Sequence, residues 1–166
     1  MLVSLFPVEK VAVMKWLAVA LLFLPGAAVA HEYKFGDLEI IHPAIPAPPP
    51  SAKSAAAYVV IANEGTEPDR LIGVEIQGVE MAMLHATVTN ADGLTSMQHL
   101  DGVDLPAGEI VALEPGEMHI MLTGLTEPLS EGETVKGTLI FERAGRFDLE
   151  FMIDARGGTD HSGHGG

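Results

Sequence analysis

Cysteine is missing from all 166 residues. That excludes disulfides, thiolate metal sites, thiol redox chemistry and lipid attachment through an N-terminal cysteine, all of which need a sulfhydryl. A soft metal ligand in this chain must therefore be a methionine. No apolar run reaches membrane-spanning length: Trp16 to Leu24 is nine residues, against the roughly 20 that a spanning helix needs, so no stable membrane insertion is expected. No segment carries a useful helical period, and no internal repeat is visible. Nucleophile elbow, HExxH and convincing triad are all absent, so the chain does not read as an enzyme. Basic residues are also scarce, with 9 Lys and Arg against 23 Asp and Glu. An acidic surface repels nucleic acid and anionic membranes and suits cations or a basic partner protein, although solubility alone also explains it.

The N-terminus has the layout of a secretory signal over residues 1–30. Lys15 precedes the apolar run, and Pro25-Gly26 and the small-residue site Ala28-Val29-Ala30 follow it. Cleavage there makes His31 the first residue and places the protein in the periplasm. The signal is complete from Met14 onward, so Met14 is an alternative start to Met1. Without residues 1–30 the chain keeps 22 acidic and 7 basic side chains, a net charge near −15. Residues 31–156 have the length of one domain. Residues 157–166, Gly-Gly-Thr-Asp-His-Ser-Gly-His-Gly-Gly, have nothing to bury and read as a flexible Gly/His tail.

Between these ends the pattern is of strands and turns. Phe147, Leu149, Phe151 and Ile153 alternate with Asp148, Glu150, Met152 and Asp154, giving one apolar and one more polar face. Strand-like runs also occur at 38–41, 57–62, 71–76, 81–89, 94–100, 110–113, 119–122 and 134–141. Turn residues such as Asn63-Glu64-Gly65, Pro106-Ala107-Gly108 and Pro115-Gly116 separate most of them. Many short strands at this spacing predict an all-β, single-domain antiparallel sandwich or barrel. Pro46 to Pro50 reads as an extended surface strap, and His42, before Pro43, as a loop residue.

Seven histidines and a set of methionines are the residues able to carry chemistry. Singly, a methionine usually fills core gaps and a histidine caps a turn. His119 and Met121, two apart on one predicted strand, present an imidazole and a thioether on the same face. His85 and Met97 lie on consecutive predicted strands joined by a turn around Asn90 to Gly93. A three-residue loop sets them directly opposite, and a four-residue loop one register off. If that hairpin also lies beside the His119 strand, the four side chains make a neutral N2S2 set. Soft thioethers select copper(I) over zinc or magnesium. His99 shares a face with Met97 and is a candidate alternate ligand, but the simpler reading is an exposed neighbour. Met81 and Met83 are read as hydrophobic filling under the site. His31, His161 and His164 supply nitrogen without sulfur and are candidates for copper(II).

The stretch from Leu84 to Met121 resembles the periplasmic copper chaperone family PCu(A)C, with its pattern HMx10Mx21HxM. His85 is followed by Ala86, ten residues, Met97, twenty-one residues, then His119-Ile120-Met121. The likeness continues through Ala57–Asn63, Leu105–Glu109 and Phe141–Gly145 and spans roughly residues 35–155. It implies a cupredoxin-like sandwich with copper(I) held by His85, Met97, His119 and Met121 near one end. It also implies delivery of copper toward the CuA domain of cytochrome c oxidase, directly or through a Sco-type assembly protein. Two departures stand out. The methionine that often follows the first histidine is Ala86, which leaves no spare thioether beside the site. His42-Pro43-Ala44-Ile45-Pro46 replaces the aromatic and arginine that relatives often carry. The alternatives are periplasmic copper sequestration or storage, and an interaction sandwich that binds no metal. A blue-copper electron carrier would need a cysteine ligand.

Overall fold

The structure, a computed structural model, describes residues 32–156. The signal segment with its two candidate starts, His31, and the tail with His161 and His164 lie outside the described residues. The fold is all-β, as the period-two patterning predicts. The strands are β1 (Glu32–Phe35), β2 (Leu38–Pro46), β3 (Ser54–Asn63), β4 (Asp69–Ile76), β5 (Met81–Thr89), β6 (Thr95–His99), β7 (Val103–Leu105), β8 (Ile110–Leu113), β9 (Met118–Thr123), β10 (Thr134–Phe141) and β11 (Gly145–Asp154).

Strand order is β6-β5-β9-β3-β2-β11-β10-β4-β7, with β1 added to β2 and β8 to β3. Strand β3 belongs to both layers: its first residues pair with β9 and its later ones with β2 and β8. The sandwich closes around Ile40, Ile61, Leu71, Ile120, Leu139 and Phe151, each fully shielded from solvent. Along β11, Leu149, Phe151 and Ile153 are buried while Asp148 and Glu150 are exposed, which is the alternation read from the sequence.

Three features differ from the sequence expectation. Strands β1 and β7 were not foreseen, because four and three residues are too few for periodicity to show. Strand β2 and β11 run parallel at Ala44↔Met152 to Pro46↔Asp154, so the sandwich is not wholly antiparallel. His42 is not a loop residue. It sits within β2, where pairing shifts register between Ile41 and Ala44, and it takes a left-handed φ of 47°. Its Nε2 lies 2.9 Å from Asp154 Oδ2, a local tie that pins an irregular strand where it changes partner.

Candidate metal centre

At one end of the strand order, β5 lies between β9 and β6, and the candidate residues collect on the solvent-side face of these three strands. Their opposite face supplies Leu84, Ile120 and Leu122 to the core. Because side chains alternate, His85 must then point away from that core, together with Met83 and Thr87.

Register fixes the rest. His85 is directly opposite His119 on β9 and directly opposite His99 on β6. Met121 is opposite Met83, and Met97 is opposite Thr87. Both Met121 and Met97 are thus diagonal neighbours of His85, on opposite sides, where long side chains reach across about 7–8 Å. His85 is the centre of the constellation, with an imidazole abreast of it on each side and a thioether on each diagonal.

The expected register of the β5–β6 hairpin needs correction. Neither the three-residue nor the four-residue loop forms: the last pair is Thr89↔Thr95, which leaves five residues, 90–94, in the connection. Asn90 dictates this length. Its side-chain Oδ1 accepts the backbone N–H groups of Asp92 (3.0 Å) and Leu94 (2.9 Å). Its own N–H donates to the Leu94 carbonyl, and Gly93 adopts φ +78°. An asparagine-seeded turn of this kind carries the reversal without a two-residue primed turn. His99, read from sequence as an exposed neighbour, therefore takes the position beside His85, and Met97 lies two pairs further along, opposite Thr87.

The rings of His85 and His119 are 5.8 Å apart, centroid to centroid, inclined at 74°. Those of His85 and His99 are also 5.8 Å apart, inclined at 84°. Two imidazoles sharing an ion at about 2 Å per nitrogen place their centroids roughly 5–6 Å apart, so either pair fits with little movement. His85 Nδ1 is buried and makes no hydrogen bond. Leaving a buried polar nitrogen unpaired costs on the order of 1–3 kcal/mol, and a metal ion would satisfy it. His119 is 6% exposed. Burial is the main reason its pKa lies below the ordinary imidazole value; the neighbouring His85 adds to the effect, while a hydrogen bond to the Glu117 backbone opposes it. That shift favours the neutral ring, the form in which an imidazole can ligate.

The structure brings His85, His119 and Met121 together. Met97 stands apart: it is 63% exposed on a strand two spacings, roughly 10 Å, from β9. Among the described residues, no three His, Asp or Glu side chains converge on a point as they stand. Met81 is 53% exposed and is not filling beneath the site. Met83 is half-buried beside Met121, so a spare thioether does stand next to the site, supplied by β5 two residues before His85. The i, i+2 spacing of Met83 and His85 carried that signal.

Residues 38–153 match the family described as "Putative lipoprotein LpqE-like". The copper-bound PCuAC domain from PmoF2 is 30% identical with a TM-score of 0.65, covering 75% of this chain and 98% of that domain. The copper(I) form of DR1885 from Deinococcus radiodurans is 26% identical with a TM-score of 0.57, covering 78% of this chain and 83% of that one. "Putative lipoprotein Lxx21020" of Leifsonia xyli subsp. xyli is 35% identical over 86 residues, 52% of each chain. The chain thus spans about half the length of that curated relative. Its 166 residues contain no thiol to accept a lipid. Fold, registered His and Met residues and family match agree, and the chain belongs to the LpqE-like, PCuAC family.

Proposed function

We propose that this protein is an exported copper(I) carrier that holds one ion through His85, His119, Met121 and Met97 and passes it toward the CuA site of cytochrome c oxidase, directly or through a Sco-type protein. The observation that carries this reading is the His85–His119 pair, 5.8 Å between ring centroids, with His85 Nδ1 buried and unpartnered and a methionine on each diagonal. A soft, neutral donor set of this composition favours copper(I) over zinc or magnesium. Export rests on the signal-like residues 1–30 and on the lipoprotein relative.

Transfer follows from ligand chemistry. Thioether and imidazole bonds to copper(I) can be replaced one at a time, and cysteine thiolates of an acceptor bind it more strongly than thioethers do. Met97, exposed on the outer strand, is the ligand an incoming thiolate reaches first. The acidic surface speeds encounter with an acceptor that is basic around its metal site, an effect screened as the Debye length falls from about 10 Å at 0.1 M salt.

Two measurements test this. Competition against a chromogenic copper(I) chelator, with X-ray absorption on the loaded protein, should give one ion per chain with nitrogen and sulfur neighbours. Mixing loaded protein with an apo CuA domain or an apo Sco-type protein, then assaying copper after separation, should show transfer that is faster at low salt. Copper retained wholly by this protein against both acceptors would leave storage as its function.

A further inference from the structure

Beyond the four residues of the family pattern, the same face carries a third imidazole. His99 is paired directly with His85 across β5 and β6, at the same ring separation, 5.8 Å, as His119 on the other side. His119, His85 and His99 thus form a row across three adjacent strands, and Met97 and Met121 lie off that row. The two ligand types are segregated in space. Nitrogen occupies the row, and sulfur occupies the diagonals.

We propose that His99 gives this face a second, nitrogen-based binding mode for copper(II), with His85 and His119 as its co-ligands, and that copper(I) keeps those two histidines but takes the thioethers in place of His99. The proposal rests on the copper-carrier reading and deepens it, because it assigns one edge of the sheet to both oxidation states. The chemistry is that of ligand preference: copper(II) favours imidazole and carboxylate in tetragonal arrangements, and copper(I) favours sulfur. His85 Nδ1, buried without a partner, is available to either ion. His99 is exposed, on a strand whose every residue is exposed, so bringing it over His85 takes a side-chain rotation and no repacking. The three imidazoles do not converge as they stand, and His99, on the exposed strand, is the one of the three free to swing toward the other two. Asp101 Oδ1 lies 3.8 Å from His99 Nε2. That is beyond a hydrogen bond, yet close enough for a carboxylate to orient the ring once it moves, as acidic partners do for metal-binding histidines. Asp101 is a positioning residue in this arrangement.

The test uses the full exported chain carrying His31→Ala, His42→Ala, His161→Ala and His164→Ala, which leaves His85, His99 and His119 as the only imidazoles. One equivalent of copper(II) sulfate is added, and pulsed electron paramagnetic resonance counts the coupled imidazoles. The expected count is three, falling to two on adding His99→Ala. Copper(II) affinity should fall by about tenfold or more, the size of effect that even an outer partner of a metal ligand produces. Copper(I) affinity of the His99→Ala protein should change less than about threefold, since its preferred sulfur ligands are untouched. Asp101→Asn should weaken copper(II) to a smaller degree at an unchanged imidazole count. An unchanged spectrum and affinity without His99, no copper(II) binding in the parent, or equal losses for both oxidation states would each overturn the proposal. Failure of the parent to bind copper(I) at all would instead remove the carrier reading on which it rests.

Discussion

Strands β9 and β6 flank β5 and offer it the same chemistry, one histidine abreast of His85 and one methionine on a diagonal, but they differ in what supports them. Strand β9 is paired on both edges, by β3 and β5, and buries His119, Ile120 and Leu122. Strand β6 is an edge strand, exposed at all five residues. The difference separates two jobs that one symmetrical site would confuse. In the proposed carrier, the β9 half, paired on both edges with its histidine buried, is the part that sets where the ion sits. The exposed edge strand β6 is the part that sets how the ion enters and leaves. A carrier needs both, because a site held on every side by core strands releases slowly.

The sharpest way to break the comparison is to soften the β9 half. Ile120→Ala removes a fully buried side chain between His119 and Met121. It should cost about 2–5 kcal/mol of stability by denaturant unfolding, the range for such truncations. Gln98→Ala, at an exposed position of β6, should change stability by less than about 0.5 kcal/mol. Equal losses would mean that the hairpin is as integral to the core as β9.

Next in size is the ligand effect. His119→Ala should weaken copper(I) by about a hundredfold or more, at or beyond the top of the range for losing an outer partner of a metal ligand. Met97→Leu should weaken it less and should act mainly on the release rate. Stopped-flow transfer to a chelator separates the two. A Met97→Leu loss as large as that of His119→Ala would put the anchoring ligand on β6.

A smaller effect comes from protons. Burial lowers the pKa of His119, so between that value and the ordinary one of about 6.5 the unfolded chain binds a proton that the folded chain does not. Stability of the copper-free protein should therefore fall as pH drops through about 6.5, and the fall should level off below the folded pKa. Thermal melts from pH 8 to 5 should show this component in the wild type and lose it in His119→Gln. Copper(I) affinity should also fade below about pH 6, because ligating imidazoles must be unprotonated while thioethers have no proton to lose.

Legibility in the sequence followed the strength of the local signal. Strand β11 showed itself through eight residues of alternation, Phe147 to Asp154, and His119 and Met121 through their shared parity on one strand. The His85–Met97 relation could not be read in the same way. They lie on different strands, so the loop decides both whether they share a face and how far they are offset, and that depends on the Asn90 side chain binding two backbone N–H groups within its own turn. The sequence names His99 as an alternate ligand but cannot place it, since a shift in register decides which residue of β6 stands beside His85. The left-handed φ of His42 and the parallel β2–β11 pairing are products of long-range packing that no local pattern announces.

The smallest expected effect concerns Met83, and it distinguishes a two-thioether site from a three-thioether one. Met83 lies on β5 directly opposite Met121, on the face of His85, and it is half-buried. It can therefore act as packing that props the Met121 side chain toward His85, or as sulfur that joins the ion. Leucine keeps the volume and removes the sulfur, a swap that well-packed sites tolerate at less than about 1.5 kcal/mol. If Met83 only packs, Met83→Leu should leave copper(I) affinity within about threefold, and X-ray absorption should count the same sulfur neighbours as in the wild type. The accompanying change in melting temperature should be slight. A fall in the sulfur count, or an affinity loss comparable to that of Met121→Leu, would transfer ligand duty to β5 and make the diagonal on β6 dispensable. Pairing Met83→Leu with Met97→Leu sharpens the outcome: losses that add mark independent roles, and a double loss much larger than the sum marks two sulfurs that substitute for one another.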